Sequence, residues 1–170
     1  MEVSQAIRTK RAVRQFSDRP LPDPAVQAIL NAGRRAQSSK NEQVWQFIAI
    51  TDKQVLKPLS EYGKWAAHLA GAALGVAILV PDPSGKFQTM FDAGQAAAYM
   101  QLAAWDLGIG SCLASIYEED KARQLLGYPS GLDLHIALSF GYPADVALLT
   151  GQPKPGGRKP LSDLVHWDKW

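Results

Sequence analysis

The feature that most constrains the fold of this chain is residues 73–80 (ALGVAILV), an almost wholly apolar run. A strand with one face in water alternates apolar and polar side chains, whereas this run contains no polar side chain. It therefore predicts a strand that is buried on both faces of a sheet. Pro81 and Pro83 follow the run and are expected to end the strand.

Shorter patterns predict the other elements. Runs of β-branched and aromatic residues predict strands at 44–51, 111–116 and 132–141. Helical spacing of apolar residues and alanine-rich composition predict helices at 4–9 (with Ser4 as N-cap), 23–36, 54–62, 64–70, 87–107 and 118–126. Four main strands with helices covering the sheet place the chain in the α+β class.

Composition limits the classes of protein that the chain can belong to. Its 170 residues, 46% hydrophobic and 20% charged, predict one globular domain over 1–170. The net charge of +2 gives no reason to expect a nucleic-acid partner. Residues 69–80 are too short for the roughly 20 residues of a membrane span. The single cysteine, Cys112, excludes an internal disulfide framework, and with no signal peptide it favours a buried thiol in a cytoplasmic protein.

Metal and nucleophile chemistry have little support. The three histidines, His68, His135 and His166, are scattered, and His135 lies in an apolar strand, so we predict no metal site and a core role for His135. The chain contains no GxSxG or phosphate-loop motif, and no GxGxxG motif opens a helix after a strand.

Cations are clustered near both ends of the sequence. Lys10, Arg11 and Arg14 crowd together, and Arg158 follows two glycines. A phosphate monoester carries nearly two negative charges and three acceptor oxygens, which paired cations bind well. Any one of these cations alone is more simply a solvated surface charge. Together with the polar run at 38–43 they favour a phosphorylated, polar-edged, planar cofactor.

In order and spacing these segments resemble the nitroreductase family. The resemblance extends over essentially the whole chain, through residues 10–16, 36–45, 63–65, 92–95, 107–112, 138–143 and 157–161. The family has Pro where this chain has Gln37 and Val44. The resemblance implies a central, mainly antiparallel sheet of four to five strands in an intertwined homodimer that holds FMN between its subunits.

The resemblance also implies roles for particular residues. Two groups would meet the same flavin from different subunits. The first group holds the phosphate, the ribityl chain, the pyrimidine edge and the N5 edge, and consists of Lys10, Arg11, Ala12, Arg14, Ala114, Ser115 and Arg158. The second group comes from the other subunit and consists of Ser38, Ser39 and Asn41. Ser115 stands where some relatives have a glutamate, and Lys154 stands near a family lysine position occupied here by Gly156.

The implied function is that of an FMN-dependent oxidoreductase. Hydride would pass from NADH or NADPH through the flavin to a nitroaromatic, a quinone or a similar small oxidant in a ping-pong mechanism, with no metal, nucleic acid or membrane involved. The alternative is a flavin-binding carrier or sensor of the same fold without turnover. The tail at 146–170, with Trp167 and Trp170, is expected to be extended and to pack on the partner subunit.

Overall fold

The computed structural model describes residues 1–82, 84, 86–150 and 157–170. Its helices are α1 (Val3–Thr9), α2 (Asp23–Arg34), α3 (Lys53–Leu59), α4 (Gln88–Asp106), α5 (Glu119–Leu126) and α6 (Ala147–Thr150). Its strands are β1 (Gln46–Ile50), β2 (Leu74–Pro81), β3 (Gly110–Ser115) and β4 (Leu132–Gly141). Short 3₁₀ turns lie at Ser39–Asn41, Ala67–Leu69 and Leu161–Asp163.

The four strands form one antiparallel sheet in the order β1-β2-β4-β3. The apolar strand β2 lies between β1 and β4, and each of its residues from Leu74 to Val80 is buried. The predicted α+β class and the antiparallel sheet of at least four strands are thus confirmed. Strand β4 has the predicted bounds.

Helices cover both faces of the sheet because alternate side chains of β2 point to opposite sides. On one face Val76 and Ile78 pack in a core with Ile29 of α2 and Met100 of α4. On the other face Ala77 and Leu79 pack with Leu56, Leu59 and Leu69, which come from α3 and the 3₁₀ turn after it. In the described chain no helix is long and apolar enough to cross a membrane.

Several predicted boundaries were wrong. Ser4 does not cap α1, whose N-cap is Glu2 with no side-chain bond. The helix predicted to reach residue 62 ends at Leu59, and only a 3₁₀ turn lies within 64–70. Pro81 is the last residue of β2, whose pairing continues to Leu132. Pro83 lies outside the described residues.

The start of the tail is helical, although the tail was predicted to be extended. In α6, Leu148 and Leu149 pack on a small cluster formed by Ala6, Val13 and Trp105 of the same chain. The glycines and prolines predicted to form an extended segment at 151–156, with Lys154, lie outside the described residues. Trp167 and Trp170 are 85% and 100% exposed, and the Trp170 ring contacts the nearby His166 ring at 4.0 Å between centres, so neither is buried by the described residues.

Candidate functional site

The cationic segment at 10–14 lies along the outer edge of β3. Ala12 forms a parallel bridge with Ser111, and the Val13 backbone N–H donates to the Ser111 carbonyl at 2.9 Å. Val13 is buried, whereas Ala12 and Arg14 on either side of it are exposed. A Cβ added to Gly110 would lie 2.6 Å from the Val13 Cβ, so the missing side chain lets the segment approach the strand.

The first two cations of this segment are partly withdrawn from water. Lys10 and Arg11 are both half-buried. Burial lowers the pKa of the Lys10 ammonium, and the nearby Cys112 acts in the opposite direction. Within the described residues no carboxylate forms an ion pair with Lys10. A half-buried cation of this kind gains from a bound anion, because the anion replaces the hydration that burial removed.

Arg14 carries the cationic segment into a cavity of about 820 Å³. Its other lining residues are Gln15, Lys64, Trp65, Ala67 and His68. Trp65 is 73% exposed, and the Lys64 ammonium lies 5.4 Å from the centre of its ring. The cavity therefore offers two cations and an aromatic surface, which suits a planar ligand with anionic or carbonyl groups.

The end of β3 lies close to this cavity because Gly63 has no side chain. A Cβ on Gly63 would lie 2.0 Å from the backbone carbonyl oxygen of Ser115. The Tyr117 N–H donates to the Tyr62 carbonyl at 2.8 Å, and this bond also holds the segment around Gly63 against the end of β3. Ala114 is buried and Ser115 is half-buried at this strand end.

His68 is buried beneath the cavity. Its Nδ1 lies 2.7 Å from the Ser139 hydroxyl, which in turn donates to the Cys112 carbonyl at 3.3 Å. Burial and the charge of Arg14 lower the pKa of His68, and the nearby Leu113 backbone acts in the opposite direction. The neutral form of the imidazole is therefore favoured beside Arg14.

Replacing His68 by Gln is expected to reduce the acid sensitivity of the fold. Because the pKa of His68 in the folded chain lies below its ordinary 6.5, the unfolded chain binds the proton more readily. The contribution to the free energy of unfolding is complete above that ordinary value and falls as the pH drops towards the folded pKa. The melting temperature of His68→Gln should therefore fall less than that of the wild type between about pH 7 and about pH 5. The exposed His166→Gln is the control, and equal slopes in all three proteins would refute the assignment.

The second predicted group lies on the turn before β1. The Ser39 backbone N–H donates to the buried carboxylate of Asp92 at 2.8 Å. The Ser38 hydroxyl accepts from the Gln43 N–H at 3.0 Å, and the Asn41 side-chain oxygen accepts from the Gln43 amide at 3.1 Å. Ser39 and Asn41 are exposed and Ser38 is half-buried.

Helix α4 shows that the two predicted groups lie far apart within one chain. Asp92, near the beginning of α4, accepts the Ser39 N–H. Trp105, near its end, donates its indole N–H to the Thr9 hydroxyl at 3.0 Å, and Thr9 directly precedes Lys10 in the chain. At a rise of 1.5 Å per residue, Asp92 and Trp105 are about 20 Å apart along the axis. The structure therefore brings Arg14 to the cavity but keeps the 38–41 turn at the other end of α4. Arg158 is exposed, and its place beside the phosphate stays a prediction.

His135 does not have the core position that the sequence predicted. It is half-buried, and its ring lies within 4.8 Å of the carboxylates of Glu119 and Asp133. Arg123 pairs with both carboxylates, at 3.0 and 3.4 Å, and burial and the hydrogen bond with Asp133 raise the pKa of Glu119. The guanidinium bridges the two carboxylates, so the cluster forms a charge network that ties α5 to β4.

The chain is similar in sequence to nitroreductases and related flavin oxidoreductases. The profile of the Nitroreductase family matches residues 7–75 and 63–142. An NADH dehydrogenase/NAD(P)H nitroreductase of Archaeoglobus fulgidus is 32% identical over 151 residues, which cover 85% of this chain and 87% of that protein. An NADPH-flavin oxidoreductase of Vibrio harveyi is 24% identical over 98% of this chain and 73% of its own length.

Solved structures have the same fold. An FMN-dependent nitroreductase of Clostridium difficile superimposes with a TM-score of 0.85 at 26% identity, over 97% of this chain and 98% of that one. An NADPH:FMN oxidoreductase of Vibrio harveyi, solved with NAD⁺, gives a TM-score of 0.87 at 23% identity, over 99% and 77% of the two chains.

Proposed function

The chain belongs to the Nitroreductase family, and we propose that it is a cytoplasmic FMN-dependent oxidoreductase that uses NADH or NADPH to reduce a small oxidant such as a nitroaromatic or a quinone. The observation that carries this proposal is the position of Arg14. It ends a segment of half-buried cations and also lines the cavity of about 820 Å³. The segment proposed to bind the phosphate thus leads directly into the cavity proposed to hold the planar ring.

The residues at this place fit FMN. Lys10 and Arg11 are suited to the phosphate, because each is partly desolvated and cationic. Arg14 and Lys64 would lie beside the ring, where fixed positive charge stabilises the negative charge that develops on reduction. When bound, FMN would supply the hydride-transfer chemistry between the nicotinamide and the oxidant. The chain's own part is to bind, orient and stabilise charge, with no covalent catalyst.

A flavin contacted by both predicted groups requires two subunits. Within one chain the 38–41 turn and the 10–14 segment are held at opposite ends of α4, where Asp92 and Trp105 are about 20 Å apart along the axis. We therefore infer a homodimer in which Ser38, Ser39 and Asn41 of one subunit meet the flavin that the other subunit binds. Phe87, Phe91 and Tyr99, at helical spacing on α4 or just before it, are 75%, 70% and 42% exposed and offer an apolar surface for that interface.

The edge strand β1 offers a place for the partner's tail. Its outer side is unpaired within the described residues, and a cavity of about 500 Å³ beside it is lined by Leu30, Trp45 and Phe47 together with polar side chains. The exposed Trp167 and Trp170 supply aromatic anchors of the kind that dominate interfaces. We propose that the tail of each subunit covers this edge of the other.

Substitution of single cations tests the FMN site. Arg11→Ala and Arg158→Ala are each expected to weaken FMN binding by about 1.5–3 kcal/mol, the usual contribution of a hydrogen bond to a charged group. Lys57→Ala is the control, since Lys57 is an exposed cation on α3, outside both predicted groups. Affinities would be measured by quenching of FMN fluorescence. Equal losses in all three variants would show that only general positive charge attracts the ligand.

A further inference from the structure

The turn that carries Ser38, Ser39 and Asn41 has a costly backbone conformation. Lys40, Asn41 and Gln43 have φ angles of 51°, 56° and 49°. The left-handed region is sterically unfavourable for a residue with a side chain, and none of the three is glycine. Three such residues within four positions mean that contacts outside the turn must stabilise it.

Two polar contacts to flanking groups tie the turn to the beginning of α4. The Lys86 ammonium lies 3.4 Å from the Glu42 carboxylate, but both side chains are exposed, and surface pairs of this kind contribute little. The second contact is the 2.8 Å bond from the Ser39 N–H to Asp92, whose residue is only 5% exposed. A buried carboxylate that accepts a backbone N–H makes a strong, charge-assisted bond.

From this we propose that Asp92 is a positioning residue for the cofactor: its carboxylate holds the 38–43 turn in the strained conformation that meets the flavin of the partner subunit. The inference rests on the proposed function. It assigns to Asp92 no contact with the flavin itself, because its bond is to the backbone of Ser39. Helix α4 would then fix both halves of the composite site, the turn through Asp92 and the cationic segment through Trp105 and Thr9.

Two variants of Asp92 separate this role from general stability. Asp92→Ala removes the acceptor, whereas Asp92→Asn keeps one acceptor oxygen without the charge. The Kd for FMN is expected to rise about tenfold in Asp92→Ala and by a smaller factor in Asp92→Asn. Ile29→Val is the matched control, since Ile29 is fully buried in the core with α4 and its truncation destabilises the fold without touching the turn.

Hydrogen–deuterium exchange of the flavin-free protein gives a readout independent of the cofactor. Asp92→Ala should accelerate exchange in peptides covering 37–43 and leave β2 unchanged, whereas Ile29→Val should not act selectively on the turn. An unchanged Kd in Asp92→Ala, or acceleration spread evenly over the chain, would overturn the inference. Failure of the wild type to bind FMN would instead refute the proposed function, so the two failures are distinguishable.

Discussion

Truncation of the chain after Leu161 is expected to yield a monomer that binds FMN at least about tenfold more weakly, although Arg158 is retained. The truncation removes Trp167 and Trp170, whose rings are exposed on their own chain and are proposed to anchor the tail on the partner. Aromatic anchors at interfaces commonly contribute about 2 kcal/mol or more each. Loss of the dimer separates the 38–41 turn from the flavin that it is proposed to meet.

Light scattering and a FMN titration on the same samples measure this result. Lys169→Ala is the control, because it changes the tail without removing an aromatic ring. A stable monomer with wild-type FMN affinity would contradict the shared site. A dimer of unchanged stability would contradict the anchoring role of the tail.

Gly110→Ala is expected to have the largest effect of any single substitution near the cationic segment. The new Cβ would lie 2.6–2.8 Å from the Val13 Cβ and both of its methyl groups, which are close to the backbone and have no room to turn away. The segment at 10–14 must then move away from β3, at a cost of about 1–3 kcal/mol. FMN affinity should fall by about tenfold or more, since Lys10, Arg11 and Arg14 all move with it.

Gly71→Ala provides the matched control for this substitution. Gly71 is exposed and nothing lies within 4 Å of an added Cβ, so both stability and FMN affinity should be retained. Thermal unfolding and fluorescence titration check both proteins. Wild-type behaviour of Gly110→Ala would show that the approach of Val13 to β3 does not position the cations.

Strong local patterns made much of the fold predictable. The apolar run that became β2 and the alanine-rich segment that became α4 lie within one or two residues of their predicted bounds. The end of α3 was not predictable, because the Tyr62 carbonyl accepts from the Tyr117 and Glu118 N–H groups of a distant segment. Local propensity predicted that the helix continues to Tyr62, but in the fold Tyr62 bonds to this distant segment instead.

The charged residues of the candidate site were predictable, but the contacts that hold them in place were not. The cations at 10–14 were evident from their clustering, whereas their bridge to Ser111 depends on the folded sheet. Asp92 and His68 were missed as functional candidates, since their importance comes from burial against Ser39 and Ser139. Asp92 lies among the alanines of α4, and the family resemblance includes residues 92–95, but neither observation predicts its bond to Ser39.

The most direct test of the central claim is anaerobic titration of the FMN-loaded protein with NADPH and with NADH, followed by addition of a quinone or a nitroaromatic. The account predicts that at least one nicotinamide bleaches the visible flavin absorption with a stoichiometry of one per bound FMN. Addition of the oxidant should then restore the absorption, and the cycle should repeat in the steady state. Bound flavin that neither nicotinamide reduces would contradict the account and support a carrier or sensor of the same fold.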